Sequence, residues 1–541
     1  MRHVCFSFSR TLAALGVVSL FASGCSTGGS GGFMGSGDSA KGGGIPVGEG
    51  DGGADGVGAA TGSGSNSGSK IAIDITNSQG GGNWTTVKKG VPQAIAAYQC
   101  TPNRFPKKLT CTGDSHETKT ADEINWGEAL QKSLWFMNLN KSGNGVWCTA
   151  NQWRGNAHLE DAEILLDPTA PTGVNMSKKF IDAHRAALDP DGNGKVDLSG
   201  GFSDAGDYIK FGLTTAFAAS MVGWSLFEFP DAYKSTGLEP ETLALLRWFG
   251  DYFLRSTFIE NGEVIAFAHQ VGDITDHSCG WMPPEVRLTS FCPRKGYFAT
   301  EEEPGSDVVA ATAAALAMIG KDFFDRGVDI PYAERCLLHA MALYRFAKKY
   351  PDSVADTTDG LYQGEYTADK LAWAALWLAE ATGDKTYLND IVGSVTGWRD
   401  GAVWKQGYLS KYPGFASPMD GWTESWTYVW RSARSAVFLK FADILNRLYA
   451  SRPTSSPEYV LAQRMKDIAQ KDSLAWVDGP KSPGGFSLKV AVDWGSGRYN
   501  SAAQYLALTY AKMFPDDSRA QDMKTWAKSQ SEYLLGNNPL G

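Results

Sequence analysis

Gly200-Gly-Phe-Ser-Asp-Ala-Gly-Asp-Tyr-Ile-Lys-Phe-Gly212 runs directly into Leu213-Thr-Thr-Ala-Phe-Ala-Ala-Ser-Met-Val-Gly-Trp-Ser-Leu-Phe-Glu-Phe229. In the second half, Phe217, Met221, Trp224 and Phe227 recur at helical spacing, which predicts the apolar face of a helix over Thr214–Phe229. In the first half, Gly200, Gly201 and Gly206 permit backbone conformations that other residues resist. Asp204 and Asp207 are thereby set close together on a tight loop braced by a packed element, where functional groups are often placed. Two carboxylates held that close point to water activation. The other open reading is that they only cap and charge the start of the helix.

Outward from that junction, the 541-residue chain has room for two or three average domains or for one large helical barrel. Hydrophobic residues at 43% supply a sizeable core, and 18 Trp exceed ordinary packing needs, pointing toward planar ligands such as sugars. A net charge of −9 without a long basic patch argues against nucleic acid as a partner.

Residues 1–25 read as an export signal, with Arg2 and Arg10, an apolar run from Thr11 to Ala22, and Ser23-Gly24 ahead of Cys25. Small residues before a Cys resemble a bacterial lipobox. That makes Cys25 a lipid-bearing N-terminus and places the protein at the bacterial cell surface or outer membrane; plain secretion is the alternative. Residues 26–69 are dominated by Gly, Ser, Asp and Ala and read as a flexible tether. Residues 70–122 alternate short β-prone pieces such as Ile71–Ile75 with Gly, Pro and Lys, an extension to which no fold is assigned. In an exported protein Cys100 with Cys111, and Cys279 with Cys292, are candidate disulfides, while Cys336 reads as a buried thiol.

Over residues 123–541 the texture is helical. Leu337, Met341 and Tyr344, then Leu371, Ala375 and Leu378, then Val437, Phe441, Ile444 and Leu448, then Leu506, Tyr510 and Met513, each mark an apolar face. Ser306 reads as a cap for a helix beginning near Asp307. Strand signals are few and the loops are long, so an all-α fold built as an α/α barrel fits better than a four-helix bundle.

A set of motifs then occurs in order: Asn125-Trp-Gly-Glu-Ala-Leu-Gln-Lys-Ser133, Trp153-Arg-Gly155, Gly200 to Gly212, Val271-Gly-Asp273 with Asp276-His277, and Pro304-Gly-Ser-Asp307. Ser482-Pro-Gly-Gly485, Trp494-Gly495, Arg498-Tyr499 and Leu535-Gly-Asn-Asn-Pro539 follow. In these motifs the chain resembles glycoside hydrolase family 9, the inverting endo-β-1,4-glucanases with an (α/α)6 barrel. The resemblance implies that Asp207 is the general base acting on the attacking water and that Asp204 helps to hold that water. Inversion also needs a carboxylic acid across the sugar, about 6.5–9.5 Å away. In the family this is a Glu in an Asn-Glu motif near the C-terminus, and that motif is absent from the 541 residues. The expectation is therefore a barrel short of its last helix, belonging either to a fragment or to a truncated relative with little hydrolase activity. Glu285 in Pro283-Pro-Glu-Val286 and Glu424 in Gly421-Trp-Thr-Glu424 read as solvated loop charges, since neither lies where the family places its acid.

The same resemblance makes His277 and Trp281 sugar-contacting residues of a cleft loop, with Trp426, Trp430 and Tyr499 as further aromatic platforms. The calcium site of many family members is discounted, because Lys370 follows Asp369 and Arg431 follows Trp430 where carboxylates are expected. A separate calcium candidate is Asp189-Pro-Asp-Gly-Asn-Gly-Lys-Val-Asp197, which sets Asp189, Asp191, Asn193 and Asp197 at positions 1, 3, 5 and 9 of an EF-hand-like loop. A metal-free polar turn is the other reading, since Gly200 stands where a bidentate acid belongs.

These readings converge on a surface-anchored endoglucanase acting on cellulose or related β-glucans. A non-catalytic glucan-binding lipoprotein is the alternative from another class, and a barrel glycosidase of different specificity is a third.

Overall fold

The computed structural model describes residues 124–146, 154–204, 207–279, 282–287, 292–354, 362, 364, 367–392, 407–408, 427–488 and 495–539. The signal, tether and extension, and with them Cys25, Cys100 and Cys111, lie outside the described residues, as do Trp281, Glu424 and Trp426.

Helix α1 (Trp126–Leu139) opens the domain, capped by Asn125 Oδ1 on the Glu128 N–H at 3.1 Å. Strand β1 (Ile164–Leu165), helices α2 (Lys178–Ala183) and α3 (Arg185–Leu188), and strand β2 (Lys195–Val196) form a small flanking unit, with β1 and β2 antiparallel. Then come β3 (Lys210–Phe211), α4 (Gly212–Glu228), α5 (Pro230–Ser235), α6 (Glu239–Arg255), β4 (Thr257–Glu260), β5 (Glu263–Val271), α7 (Ile274–His277) and β6 (Gly296–Ala299). The rest is helical: α8 (Ser306–Asp325), α9 (Ile330–Lys349), α10 (Thr367–Thr382), α11 (Thr386–Val392), α12 (Arg434–Tyr449), α13 (Pro457–Val477), α14 (Ser496–Met513) and α15 (Ala520–Leu534).

Helices pack in pairs, α8 with α9, α12 with α13 and α14 with α15, and α8 also lies against α4 and α10. This is the α/α barrel anticipated from the periodicity. The predicted helix at Thr214 begins two residues earlier and is not one-faced: 15 of the 17 residues of α4 are buried. Helix α8 buries 17 of 20, its Ala-rich run letting neighbours approach closely. By contrast α15 buries 6 of 15 and keeps a wet face. Helices buried all round form the inner layer, and amphipathic ones close over them.

Two sequence expectations need correction. Ser306 does not cap α8; Gly305 precedes the helix and the Ser306 hydroxyl donates to Ala347 O at 2.9 Å, tying α8 to the end of α9. The scarcity of strand signals was also misleading, because β3, β4, β5 and β6 form a four-stranded antiparallel sheet beside the helices. In addition, part of the Trp excess is core: Trp224, Trp373 and Trp377 are each at most 1% exposed, with Trp224 edge-on to Trp373 at 5.1 Å and to Tyr505 at 5.0 Å. Each such contact contributes about 0.5–1.5 kcal/mol beyond the area it buries.

The sheet positions the functional loops. Lys210 of β3 and Gly296 of β6 both pair with Val271 of β5, from opposite sides. The segment entering β3, the one leaving β5 and the one entering β6 therefore meet at one end of the sheet.

Candidate active site

Asp204 and Asp207 sit on the segment entering β3. Neither caps a helix, because the residue preceding α4 is Phe211, in extended conformation. The Asp204 N–H donates to Ile209 O at 2.9 Å, which closes the loop. Its carboxylate accepts from Thr214 Oγ1 at 2.7 Å and from the Tyr362 hydroxyl at 2.5 Å. Loss of water around Asp204, and then the neighbouring charge of Asp207, push its carboxyl up to about 6, against the hydrogen bonds from Tyr362 and Thr214 and the positive charge of Arg498.

Asp207 is 3% exposed. One oxygen accepts the Ile209 N–H at 3.2 Å and the other lies 3.0 Å from His277 Nδ1. A carboxylate only accepts, so Nδ1 carries the proton of this hydrogen bond. Two acceptor positions are filled and others are left for a water. Tyr208 takes a left-handed backbone (φ 64°), uncommon for a bulky residue. It is held there through its hydroxyl, which accepts from the Met282 N–H at 2.5 Å and donates to Met282 O. Strain of this kind is typical of loops that aim a functional side chain.

His277 ends α7, whose first turn is capped by Asp273 Oδ1 on the Thr275 N–H at 2.8 Å. The Asp273 carboxylate is fixed in turn by the Tyr297 hydroxyl at 2.9 Å. Gly272 is obligatory before this turn: its φ is +85°, and a Cβ would stand 2.2 Å from Asp276 Oδ2. The disulfide anticipated between Cys279 and Cys292 is present, and Cys336 is a buried thiol.

Of the aromatic candidates, Trp430 is half-buried and meets Tyr362 edge-on at 5.0 Å, which brings it against the residue that holds Asp204. Tyr499 is half-buried under the Arg498 guanidinium, 4.4 Å from its ring centre. Tyr362 and Thr214, which hold Asp204, were not singled out from sequence. Thr214 lies ten residues from Asp204 and was open to recognition as the first-turn hydroxyl of α4. Tyr362 lies 158 residues away and carries no local signal.

Glu285 is not a free loop charge. It accepts from Arg154 Nε at 2.5 Å and from the Gly155 N–H at 3.0 Å. These bonds outweigh its partial burial and hold its carboxyl below the usual range. A general acid requires the opposite shift.

The EF-hand-like loop lies apart, between α3 and β2. Gly194 N–H donates to Asp189 Oδ2 at 3.0 Å and Lys195 N–H to Asn193 Oδ1 at 2.8 Å, while the side chains of Asp191 and Asn193 bond each other at 2.9 Å. Asp197 pairs with Arg255 at 3.3 Å and accepts from the Ser199 N–H at 2.9 Å. Asp189 Oδ1 is buried without a hydrogen-bond partner. Among the described residues no group of three or more His, Cys, Asp or Glu stands close enough to hold a metal ion. At the position discounted for calcium, the buried Lys370 ammonium donates to Asp369 Oδ2 at 3.1 Å and to Arg431 O.

A family-wide profile, described as Glycosyl hydrolase family 9, matches residues 126–541. The chain belongs to that family. Among curated relatives, Endoglucanase 4 of Bacillus sp. (strain KSM-522) is 30% identical over 428 residues, covering 77% of this chain and 56% of that one. Endoglucanase 15 of Arabidopsis thaliana is 30% identical over 430 residues, covering 77% and 74%. The chain thus spans little more than half of the bacterial relative. Among solved structures, the catalytic domain of Clostridium thermocellum CelT is 38% identical with a TM-score of 0.66, covering 77% of this chain and 80% of that one. The cellulase Cel9M of C. cellulolyticum is 28% identical with a TM-score of 0.57, covering 78% and 80%. With membership of family 9 goes the helix-rich barrel of its structural neighbours.

Proposed function

We propose that this family 9 protein is an endo-β-1,4-glucanase that cleaves cellulose or related β-glucans with inversion. The observation that carries the reading is the pair of half-buried and buried carboxylates, Asp204 and Asp207, held by Thr214, Tyr362 and His277 at the mouth of α4. Asp207 serves as general base: it takes a proton from the attacking water as that water adds to the anomeric carbon and the glycosidic oxygen departs. Asp204, fixed by two hydroxyl donors, orients the same water. His277 holds Asp207, and its half-exposed ring is offered to sugar hydroxyls, with Trp281, Trp426, Trp430 and Tyr499 as aromatic contacts. The leaving oxygen needs a separate acid, and Glu285, held ionised by Arg154, does not fit that role.

Support for the substrate class comes from a relative: Cel9M has been solved in complex with cellobiose. Reducing ends released from carboxymethyl cellulose by the full-length gene product, with Asp207→Asn as control, test the activity. Equal activity in that variant would overturn the assignment of the base. Binding of cellulose without turnover would instead support the glucan-binding lipoprotein.

We also infer attachment to the cell surface through a lipid on Cys25. Its support is the apolar run and small residues before that cysteine. Incorporation of labelled palmitate, lost in Cys25→Ser, is the outcome expected; unlabelled wild-type protein in the medium would point to secretion.

A further inference from the structure

Arg294 lies in the segment entering β6 and is 1% exposed. All three of its nitrogens donate. Nε and Nη2 donate to the two oxygens of Asp161, the latter at 3.1 Å. Nη1 donates to Tyr208 O at 3.0 Å and to Asp276 Oδ2 at 3.1 Å. Asp161 is in turn held at 2.5 Å by Lys210 of β3, whose ammonium also donates to Leu198 O at 3.1 Å. Asp276 is completed by Arg287, which also donates to Cys292 O at 2.6 Å.

The two targets of Nη1 identify what this arrangement does. Tyr208 directly follows Asp207, and Asp276 directly precedes His277. The contact between Asp207 and His277 joins two loops 70 residues apart, and one guanidinium nitrogen spans the same two loops one residue away on each. We propose that Arg294 is the positioning residue of this site: by donating from one nitrogen to Tyr208 O and Asp276 Oδ2, it sets the distance between Asp207 and His277.

Burying so many charges is costly unless the geometry is good, so the cluster is a poor device for stability alone. Its cations, Arg294, Lys210 and Arg287, face Asp161, Asp276 and the half-exposed Glu160, which Arg287 meets at 3.4 Å. Only a planar fork with five donors satisfies a bidentate carboxylate on one edge and two further acceptors on the other. A lysine ammonium keeps the charge but lacks that reach. Displacements of about 1 Å in such supporting groups lower rates by as much as a hundredfold without touching substrate.

For its kinetic readout the proposal rests on the hydrolase reading above; a spectroscopic readout does not. In Arg294→Lys, kcat on a soluble cello-oligosaccharide should fall at least about tenfold with KM within about twofold. The double variant with His277→Phe should lose no more than His277→Phe alone, because both remove one contact. Wild-type kcat in Arg294→Lys, or losses that multiply in the double variant, would overturn the proposal. Independently of turnover, 15N-histidine labelling of the full chain reports the His277 ring, assigned by its loss in His277→Phe. A hydrogen-bonded Nδ1 signal that disappears in Arg294→Lys supports the clamp, and an unchanged signal refutes it even if the wild type proves inactive. Should Arg294→Lys not fold, Asp276→Ala, which removes one acceptor of Nη1 and leaves the pair between Arg294 and Asp161 intact, supplies the same two readouts.

Discussion

His277 Nδ1 donates to Asp207 Oδ2 across 3.0 Å, linking the end of a short helix to a loop 70 residues earlier in the chain. The bond fixes the rotamer of the proposed base and consumes one of its acceptor positions. Removing the carboxylate charge while keeping its shape should therefore abolish turnover with little effect on folding. Asp207→Asn is expected to lower kcat at least about a hundredfold, the lower end of what a general base contributes. Steady-state kinetics beside a thermal melt check this; a folded variant with near-normal kcat removes Asp207 from the reaction.

Asp204 gives stability and activity opposite pH dependences. Its carboxyl is raised to about 6 by desolvation and by Asp207, so in the folded state it holds a proton that the unfolded chain has already released. This contribution to stability is greatest below the ordinary carboxylate range and declines as pH rises through about 6. Holding the water requires the charged form, so kcat/KM should rise over the same interval. Tyr362→Phe deletes a bond that favours the charged form and should move the rise to higher pH. A pH–rate profile of both proteins, with melts of Asp204→Asn across the interval, reads these effects.

Lys370 and Asp369 form a buried pair, 1% and 0% exposed. Lys370→Met strands a buried carboxylate and should lower stability by about 3–5 kcal/mol. Burial already raises the Asp369 carboxyl against the pull of Lys370, so without the ammonium it rises further and the deficit widens as pH increases. Urea melts at two pH values measure it; a deficit independent of pH contradicts the pairing.

Glu285→Gln should separate bracing from chemistry. Losing a charged acceptor shared by Arg154 and Gly155 costs about 1.5–3 kcal/mol, whereas turnover by the folded protein should persist. Loss of kcat at unchanged stability would reassign Glu285 to the reaction.

Calcium at Asp189, Asp191, Asn193 and Asp197 is a proposal of the spacing; the unpartnered Asp189 Oδ1 favours it, whereas the lack, among the described residues, of three acidic, His or Cys side chains close enough to share an ion opposes it. Added calcium should raise the melting midpoint of the wild type and not that of Asp189→Asn, since a ligand bound only to the folded state stabilises it. Equal response of the two proteins excludes the loop.

Much of this molecule is legible in one dimension. Helical spacing from Phe217 to Phe227 and in the later helices determined the barrel class, because burial of one stripe imposes its own period on the chain. The order of short motifs determined the family and picked out Asp204, Asp207 and His277. Spacing also found the Cys279–Cys292 disulfide, because a short polar loop keeps its two ends near each other. Only tertiary structure decided the rest. The all-round burial of α4 follows from its place inside the barrel, and the sheet of β3 to β6 arises where short strands find partners far away in sequence. Tyr362 on Asp204, Arg154 on Glu285 and Arg294 between Tyr208 and Asp276 are contacts across 86 to 158 residues, or across loops that only folding brings together. Local pattern records which residues prefer burial or a turn. It does not record which distant donor will meet a given carboxylate, and in this site that meeting sets both charge and position.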